Sequence, residues 1–429
     1  PATALPAPRT LSQLIGQQLA RLSPGAMMLA RLAAVAGPDF SLPLAEQVLA
    51  QSALALADPW HELEAGRVLV GLGFAHDLIH EAVLAGVPAL IARHLHGQVA
   101  QRLEAAQGEP ARIAAHWIAA GERERALPGL RAAAQRAHAA LRETEHIDFL
   151  LRAADIAEDS GRLDDAFDCV AAAVNSHMNT IRQASGYPLL DRLDRLARSP
   201  AQQALAWGSR AWYSAQLADV DTAIRFGERA LALASTLPDQ RLAAMVRQRL
   251  GAALGAAGRL DEGLAQMQAA LPMLASSPHA DERAEFHGNV AVLFDNVGLF
   301  DDAARHRQQA IDATRELGDH AHQVGLWANH AASRLRVGDV ADASDAVQQA
   351  GRLIAAYELR GSTVGFVAVL RVQVARAEGR YDEAFAAAED ARRELQASNP
   401  TRLPVVALNE GLVDRKSTRL NSSHANVSR

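Results

Sequence analysis

The sequence predicts an all-α protein: a small N-terminal domain of helices with one short β-hairpin, then a long stack of helical hairpins. Three observations carry this. A short phrase recurs (glycine, any residue, an apolar residue, Asp, then Ala two places on), with a second Ala seven residues later. Its key small residue falls at 126, 166, 223, 263, 303, 343 and 384, in steps of 40, 57, 40, 40, 40 and 41. So steady a period marks a solenoid. Ala and Leu dominate while aromatics make up only 4%, which favours helix over strand. Before the repeats, apolar residues recur at helical spacing and are interrupted once, at 68–75.

The clearest copies run from Gly161 to Ala166 with Ala173, and from Gly379 to Ala384 with Ala391. Between them come Val220-Asp221 and Ala223 with Ala230, Leu260-Asp261 and Gly263 with Ala270, Phe300-Asp301 and Ala303 with Ala310, and Val340 and Ala343 with Ala350. A degenerate first copy spans Gly121 to Ala126 with Ala133. Each phrase reads as the turn between two antiparallel helices. Glycine ends the first helix in the left-handed conformation. The apolar residue drops between the helices, and Asp is expected to cap the second. Two Ala seven apart share one helical face. Twelve residues before each key position stand Ala114, Ala154, Ala211, Gly251, Ala291, Ala331 and Val372, which puts a small residue opposite in all but the last copy. Over residues 111–400 the pattern resembles the tetratricopeptide repeat, with a period longer than that family's usual length of about 34.

At the N-terminus, residues 1–10 read as linker. Helices are expected from Leu11 to about Leu22, from Pro24 (Pro at the first helical position) to Gly37, from Ser41 to about Ala50, and from Asp58 to about Ala65. Val68 to Ala75 reads as a hairpin, and one long helix follows from Asp77 to about Leu103. This is a winged-helix-like pattern over 11–105, with repeats over 106–400. The 57-residue step implies an insertion at 175–200, an extra helix plus a loop, serving either as a hinge or as plain surface. Residues 401–414 close the array. From Lys416, the only lysine, the residue usage changes abruptly. Residues 415–429 resemble read-through of a sequencing adapter, and a disordered tail is expected there.

Composition excludes several classes. A net charge of −6 gives no basic footprint for nucleic acid. The stretch from Asp58 to Glu64 is acidic, so it does not suit DNA recognition. The single cysteine, Cys169, excludes an internal disulfide and fits a reducing cytoplasm. No apolar run approaches the roughly 18 residues of a membrane span, and no signal peptide is visible. The one lysine follows Arg415, so there is no phosphate-binding P-loop, and no Gly-x-Ser-x-Gly nucleophile elbow is present. The reading is therefore non-catalytic. His76 and His80 are four apart, but a zinc protease needs Glu within the pair and the interior here is Asp77-Leu78-Ile79, so no metal is expected. The five tryptophans, at 60, 117, 207, 212 and 327, read as packing residues.

One short motif stands out, Phe74-Ala75-His76-Asp77. Asp77 is a natural N-cap for the following helix. His76 would then sit at a helix mouth, where free N–H groups favour an anion and an imidazole can donate to phosphate.

The stretch 11–140 resembles the winged-helix and arm region of signal-transduction ATPases with numerous domains, more narrowly those of the large bacterial transcriptional-regulator type. The resemblance rests on Leu19-Ala20-Arg21-Leu22-Ser23-Pro24, Val35-Ala36-Gly37-Pro38-Asp39-Phe40, Trp60-His61-Glu62-Leu63-Glu64, Phe74 to Asp77, Leu95-His96-Gly97-Gln98-Val99-Ala100 and Ala115 to Gly121. It implies that His76 and Asp77 match the His and Asp of a Met-His-Asp ADP sensor, with Ala75 where the family has Met. It implies too that the chain is a piece of a longer protein, with an ATPase domain upstream supplying ATP/ADP binding; no cofactor is expected in the piece itself. A protein or small inducer is expected on the concave repeat face, with no direct nucleic acid and no membrane contact. The alternatives are the sensory part of a nucleotide cyclase or other signalling enzyme, and a stand-alone repeat scaffold.

Overall fold

The computed structural model describes residues 11–140, 142–180, 186–217, 219–398, 403–409 and 411–412. The expected linker at 1–10 and the tail at 415–429 lie outside these. The chain divides into two compact units, 1–133 and 134–429. The first copy of the repeat phrase thus falls in the N-terminal unit.

In that unit the helices are α1 (Leu11–Leu19), α2 (Pro24–Ala36), α3 (Leu42–Leu49) and α4 (Ala53–Ala65). The hairpin β1 (Leu69–Val70) and β2 (Gly73–Phe74) follows, then α5 (Asp77–Ala85), α6 (Ala89–Ala105), α7 (Pro110–Ala120) and α8 (Leu127–Ala139), which runs past the boundary. α2 is the hub, in contact with α4, α5 and α6. Its start is fixed by Ser23, whose hydroxyl accepts from Ala26 N–H and donates to Glu62 on α4 at 2.5 Å. Leu29, Leu32, Leu56 and Leu63 are fully buried around it, and Phe40 stacks on Trp60 with ring centroids 5.5 Å apart. The hairpin pairs Leu69 with Phe74 and Val70 with Gly73. Its turn opens on Gly71 at φ 62°, the conformation that a two-residue turn asks of glycine.

Two sequence expectations are corrected here. α4 begins at Ala53 rather than Asp58: Ser52 caps it by accepting from Ala55 N–H, and Pro59 lies inside. The pull of Leu56 and Leu63 into the core, seven residues apart, outweighs the preference of proline for a first turn. The helix expected from Asp77 to Leu103 is two helices, bent by 113° between α5 and α6. Pro88 at the break lacks the N–H that continuation needs and disfavours helix at the residue before it. Among the described residues no single helix is long and apolar enough to cross a membrane.

The second unit is built of antiparallel pairs: α9 (Glu143–Asp159) with α10 (Leu163–Thr180), α12 (Pro200–Gln216) with α13 (Val220–Ala234), α14 (Gln240–Ala256) with α15 (Leu260–Leu274), α16 (Ala280–Asn296) with α17 (Phe300–Leu317), α18 (His320–Val337) with α19 (Val340–Ala356), and α20 (Ser362–Ala377) with α21 (Tyr381–Ser398). The insertion supplies α11 (Tyr187–Leu196), which buries Leu190, Leu193 and Leu196 and contacts both α10 and α12. Arg192 ties it to Asp155 on α9 at 2.7 Å. Arg210 on α12 binds its Asp191 and Asp194, each at 2.7 Å.

The repeat rule holds at every copy. All the alanines at the key, plus-seven and minus-twelve positions are buried to 3% exposure or less. Where both partners are glycine, the reason is visible: a Cβ on Gly251 would lie 2.9 Å from the Gly263 carbonyl oxygen, and one on Gly263 would lie 2.8 Å from that of Gly251. α14 and α15 touch backbone to backbone. The turn glycines 121, 161, 258, 298, 338 and 379 all have φ between 72° and 83°, as the left-handed stop requires.

The capping role of the phrase's Asp is corrected. Asp164, Asp221, Asp261, Asp301 and Asp382 are second residues of their helices and are exposed. There they favour the helix dipole without capping. The N-cap is instead the residue just before each second helix, and its chemistry varies: Asp219 accepts from Thr222 N–H and Asp339 from Asp342 N–H. In other copies an Arg precedes the helix and pairs with an acid three residues on, as Arg162 does with Asp165 and Arg259 with Glu262, each at 2.6 Å.

Candidate binding groove

The first helices of three successive pairs, α16, α18 and α20, line a pocket of about 800 Å³. Its polar lining is Asp295, Asn296, Asn329, Ser333, Arg336, Gln373 and Arg376, and its apolar lining includes Phe366 and Leu370. Asn296, Asn329 and Arg336 are exposed; Gln373 and Arg376 are half-buried. The 40-residue period creates the core of this set, because 296, 336 and 376 are equivalent positions at the ends of neighbouring first helices.

Beneath the rim lies a buried polar lattice. Arg307 of α17, 1% exposed, donates to Asp295 at 2.6 Å. The other oxygen of Asp295 accepts from Ser333 Oγ at 2.6 Å, and Arg336 approaches Asp295 at 3.4 Å. Burial pulls the Arg307 guanidinium below its ordinary pKa, and the carboxylate of Asp295 offsets part of that. One side-chain nitrogen of Arg307, Nη1, is buried without a hydrogen-bond partner among the described residues. A half-satisfied buried cation of this kind is costly to retain on stability grounds alone. Alongside, Arg334 donates to the Phe300 carbonyl at 2.9 Å and His330 meets Asp342 at 3.1 Å. The rim thus offers amide groups at 296, 329 and 373 and guanidinium groups at 336 and 376, with Arg336 also lying over the Phe300 ring at 5.4 Å.

A second pocket, of about 910 Å³, lies between the start of α9, with Arg142 to Glu145, and helices α19 to α21, with Arg360, Arg371 and Arg393.

His76 and Asp77 come out differently from expectation. His76, not Asp77, is the N-cap of α5: its Nδ1 accepts from Leu78 N–H at 3.1 Å. Asp77 is the first helical residue, and both side chains are exposed. Accepting at Nδ1 places the ring proton on Nε2. His80 is turned away from His76; its Nε2 meets the Ala34 carbonyl at 3.0 Å and its ring lies against Phe74. The tryptophans pack as expected where contacts are seen: Trp117 is fully buried, donates to Glu104 at 2.6 Å and lies under Arg125.

Sequence reasoning missed both the groove lattice and a histidine cluster, His138, Glu143 and His146, whose ligand atoms lie within 4.8 Å of one another. The signal available for the cluster was Glu-x-x-His at 143–146, which puts two donors on one helical face. The third, His138, belongs to the preceding helix, and no spacing rule reaches it.

No family model matches the chain, and no curated protein matches it. Among solved structures it is similar to a signal transduction ATPase with numerous domains that carries a tetratricopeptide repeat sensor, from Pyrococcus horikoshii (11% identity, 95% of this chain and 68% of that one, TM-score 0.42). It is similar to yeast Tom70 (12%, 95% and 85%, 0.44), and to a Rap protein complexed with competence and sporulation factor (12%, 78% and 94%, 0.40).

Proposed function

We propose that the chain is a regulatory, non-catalytic binding scaffold whose ligand is an extended acidic segment of a protein, held along α16, α18 and α20. The observation that carries this is the set of amide and guanidinium groups at 296, 329, 336, 373 and 376, underlain by the Asp295–Arg307–Ser333 lattice. Asn296, Arg336 and Arg376 stand at the repeat spacing of forty, Asn329 and Gln373 add amides between them, and the two arginines supply charge complementarity. In the finer reading the scaffold serves an ATP-dependent bacterial transcriptional regulator, with a winged-helix-like domain at 11–105 passing the signal. His76 supports that reading: its Nδ1 is occupied by the cap, which leaves Nε2–H as a donor for an ADP phosphate of an adjoining ATPase domain, with Asp77 beside it as the exposed first residue of α5.

The scaffold reading is tested with a labelled 12-residue peptide of alternating Glu and Leu and its Lys-for-Glu counterpart. Fluorescence anisotropy should show binding of the acidic peptide alone, weakened at least about tenfold by Arg336→Glu with Arg376→Glu, which is roughly the 1.4 kcal/mol expected for lost charge-assisted bonds. Equal binding of both peptides, or no loss in the double variant, contradicts it. The ADP reading is tested by the nucleotide that co-purifies when an ATPase module is joined upstream. His76→Ala should lower bound ADP, and unchanged ADP removes the sensor role.

A further inference from the structure

The second unit opens on a cluster that the groove does not use. His138 stands in the last turn of α8, and Glu143 and His146 stand in the first turn of α9. His138 Nδ1 lies 3.0 Å from Glu143 Oε1, and one donor atom of each residue falls within 4.8 Å of the others. Two imidazoles and one carboxylate at that separation are the donor set of a borderline ion such as zinc, which takes His nitrogen and carboxylate oxygen at about 2.0–2.2 Å.

A chance meeting of three side chains would leave their outer atoms to solvent. Here each donor is held from behind. His146 Nδ1 meets the Ala134 carbonyl at 2.8 Å, which fixes the ring and presents Nε2. Glu143 accepts from Ser176 Oγ on α10 through its other oxygen, Oε2. His138 Nε2 lies 3.9 Å from Asp319 Oδ2, a carboxylate that comes from the start of α18 and caps that helix through its Oδ1. A carbonyl, a hydroxyl and a carboxylate behind two histidines and a glutamate make the outer shell that orients metal ligands and sets their tautomers. These partners come from α8, α10 and α18, which lie far apart in the chain.

We infer that His138, Glu143 and His146 form a binding site for one zinc-type divalent cation, with Nδ1 of His138, Oε1 of Glu143 and Nε2 of His146 as ligands. The bound ion joins the end of α8 to the start of α9. Through His138 and Asp319 it also bears on the packing of α18. Three protein ligands leave a position for water or for a donor from a partner.

The test is made on the full chain, stripped with chelator and titrated with zinc chloride against a chromophoric competitor. One zinc per chain is expected. His138→Ala and His146→Ala should each weaken binding by more than about 100-fold, beyond the roughly 10–100-fold expected for the outer-shell change Ser176→Ala. The double variant at a close histidine pair elsewhere in the repeats, His287→Ala with His306→Ala, should bind as wild type does. Should the cluster variants fail to fold by circular dichroism, X-ray absorption of the zinc-loaded wild type decides, with two imidazoles and additional oxygen expected around the metal. No stoichiometric binding, unchanged affinity in folded His138→Ala and His146→Ala, or fewer than two imidazoles on the metal overturns the proposal. In that case the three residues are an imidazole–carboxylate pair with a neighbouring histidine.

Discussion

The two units bury their cores by opposite means. The N-terminal unit packs large aliphatic and aromatic side chains at one helix, α2, among them its own Leu29 and Leu32 and, around it, Leu56, Leu63 and Phe40. Its contacts join elements distant in sequence, such as α1 with α5 and α3 with α6. The repeat unit places alanine or glycine where helices cross and takes its stability from close backbone approach, with each pair packed chiefly on its neighbours in the chain. The first is a single cooperative core. The second is a row of similar interfaces, in which damage should stay local. Side-chain volume is the resource of one region and its absence the resource of the other.

Opposite substitutions sharpen that contrast. Leu63→Ala removes a fully buried side chain of the first core and should cost about 2–5 kcal/mol. Amide hydrogen exchange in the intact chain should then show protection falling throughout residues 11–133. Ala303→Leu adds volume where the alanine is 0% exposed and should cost about 1–3 kcal/mol, with protection lost around α16 and α17 and kept in the first unit. Loss spreading evenly through all the repeats would break the comparison.

Acid should expose a second difference, this time within the repeats. His287 and His306 face each other across one hairpin with Nδ1 atoms 2.8 Å apart. Burial, then His306, hold His287 down to about 4, and burial lowers His306 as well. An unfolded histidine takes up its proton near 6.5. Between those values the unfolded state binds more protons, so stability is full above about pH 6.5 and falls as pH drops toward 4. Melting curves across that range should fall less steeply for His287→Gln than for wild type. Parallel curves would show that the pair is not desolvated.

The smallest effect concerns the turns. Asp339→Ala removes a cap that accepts at 3.1 Å and should cost about 1 kcal/mol. Asp301→Ala, at an exposed second helical position, should cost less than about 0.5 kcal/mol. Equal losses would restore the capping role to the phrase's Asp.

The repeat architecture was legible because its rule is written in small residues at fixed spacing: Ala303, Ala310 and Ala291 are buried as their positions require. The turn glycines were legible for the same reason, since only φ above zero explains Gly298 or Gly338 there. What escaped was set by tertiary context. Pro59 reads locally as a helix start, yet the core carries α4 back to Ser52. His76 and Asp77 compete for one cap, and the sequence favours the carboxylate while the fold uses the imidazole. The groove was expected only as a face. Its chemistry depends on Asp295, Arg307 and Ser333 meeting from three helices, which no local pattern encodes.

Hydrogen exchange with and without the acidic Glu–Leu peptide tests the central claim most directly. Slowed exchange is expected in α16, α18 and α20, with residues 11–133 and the second helices α17, α19 and α21 unchanged. Protection confined to those second helices, or to the N-terminal unit, would contradict it.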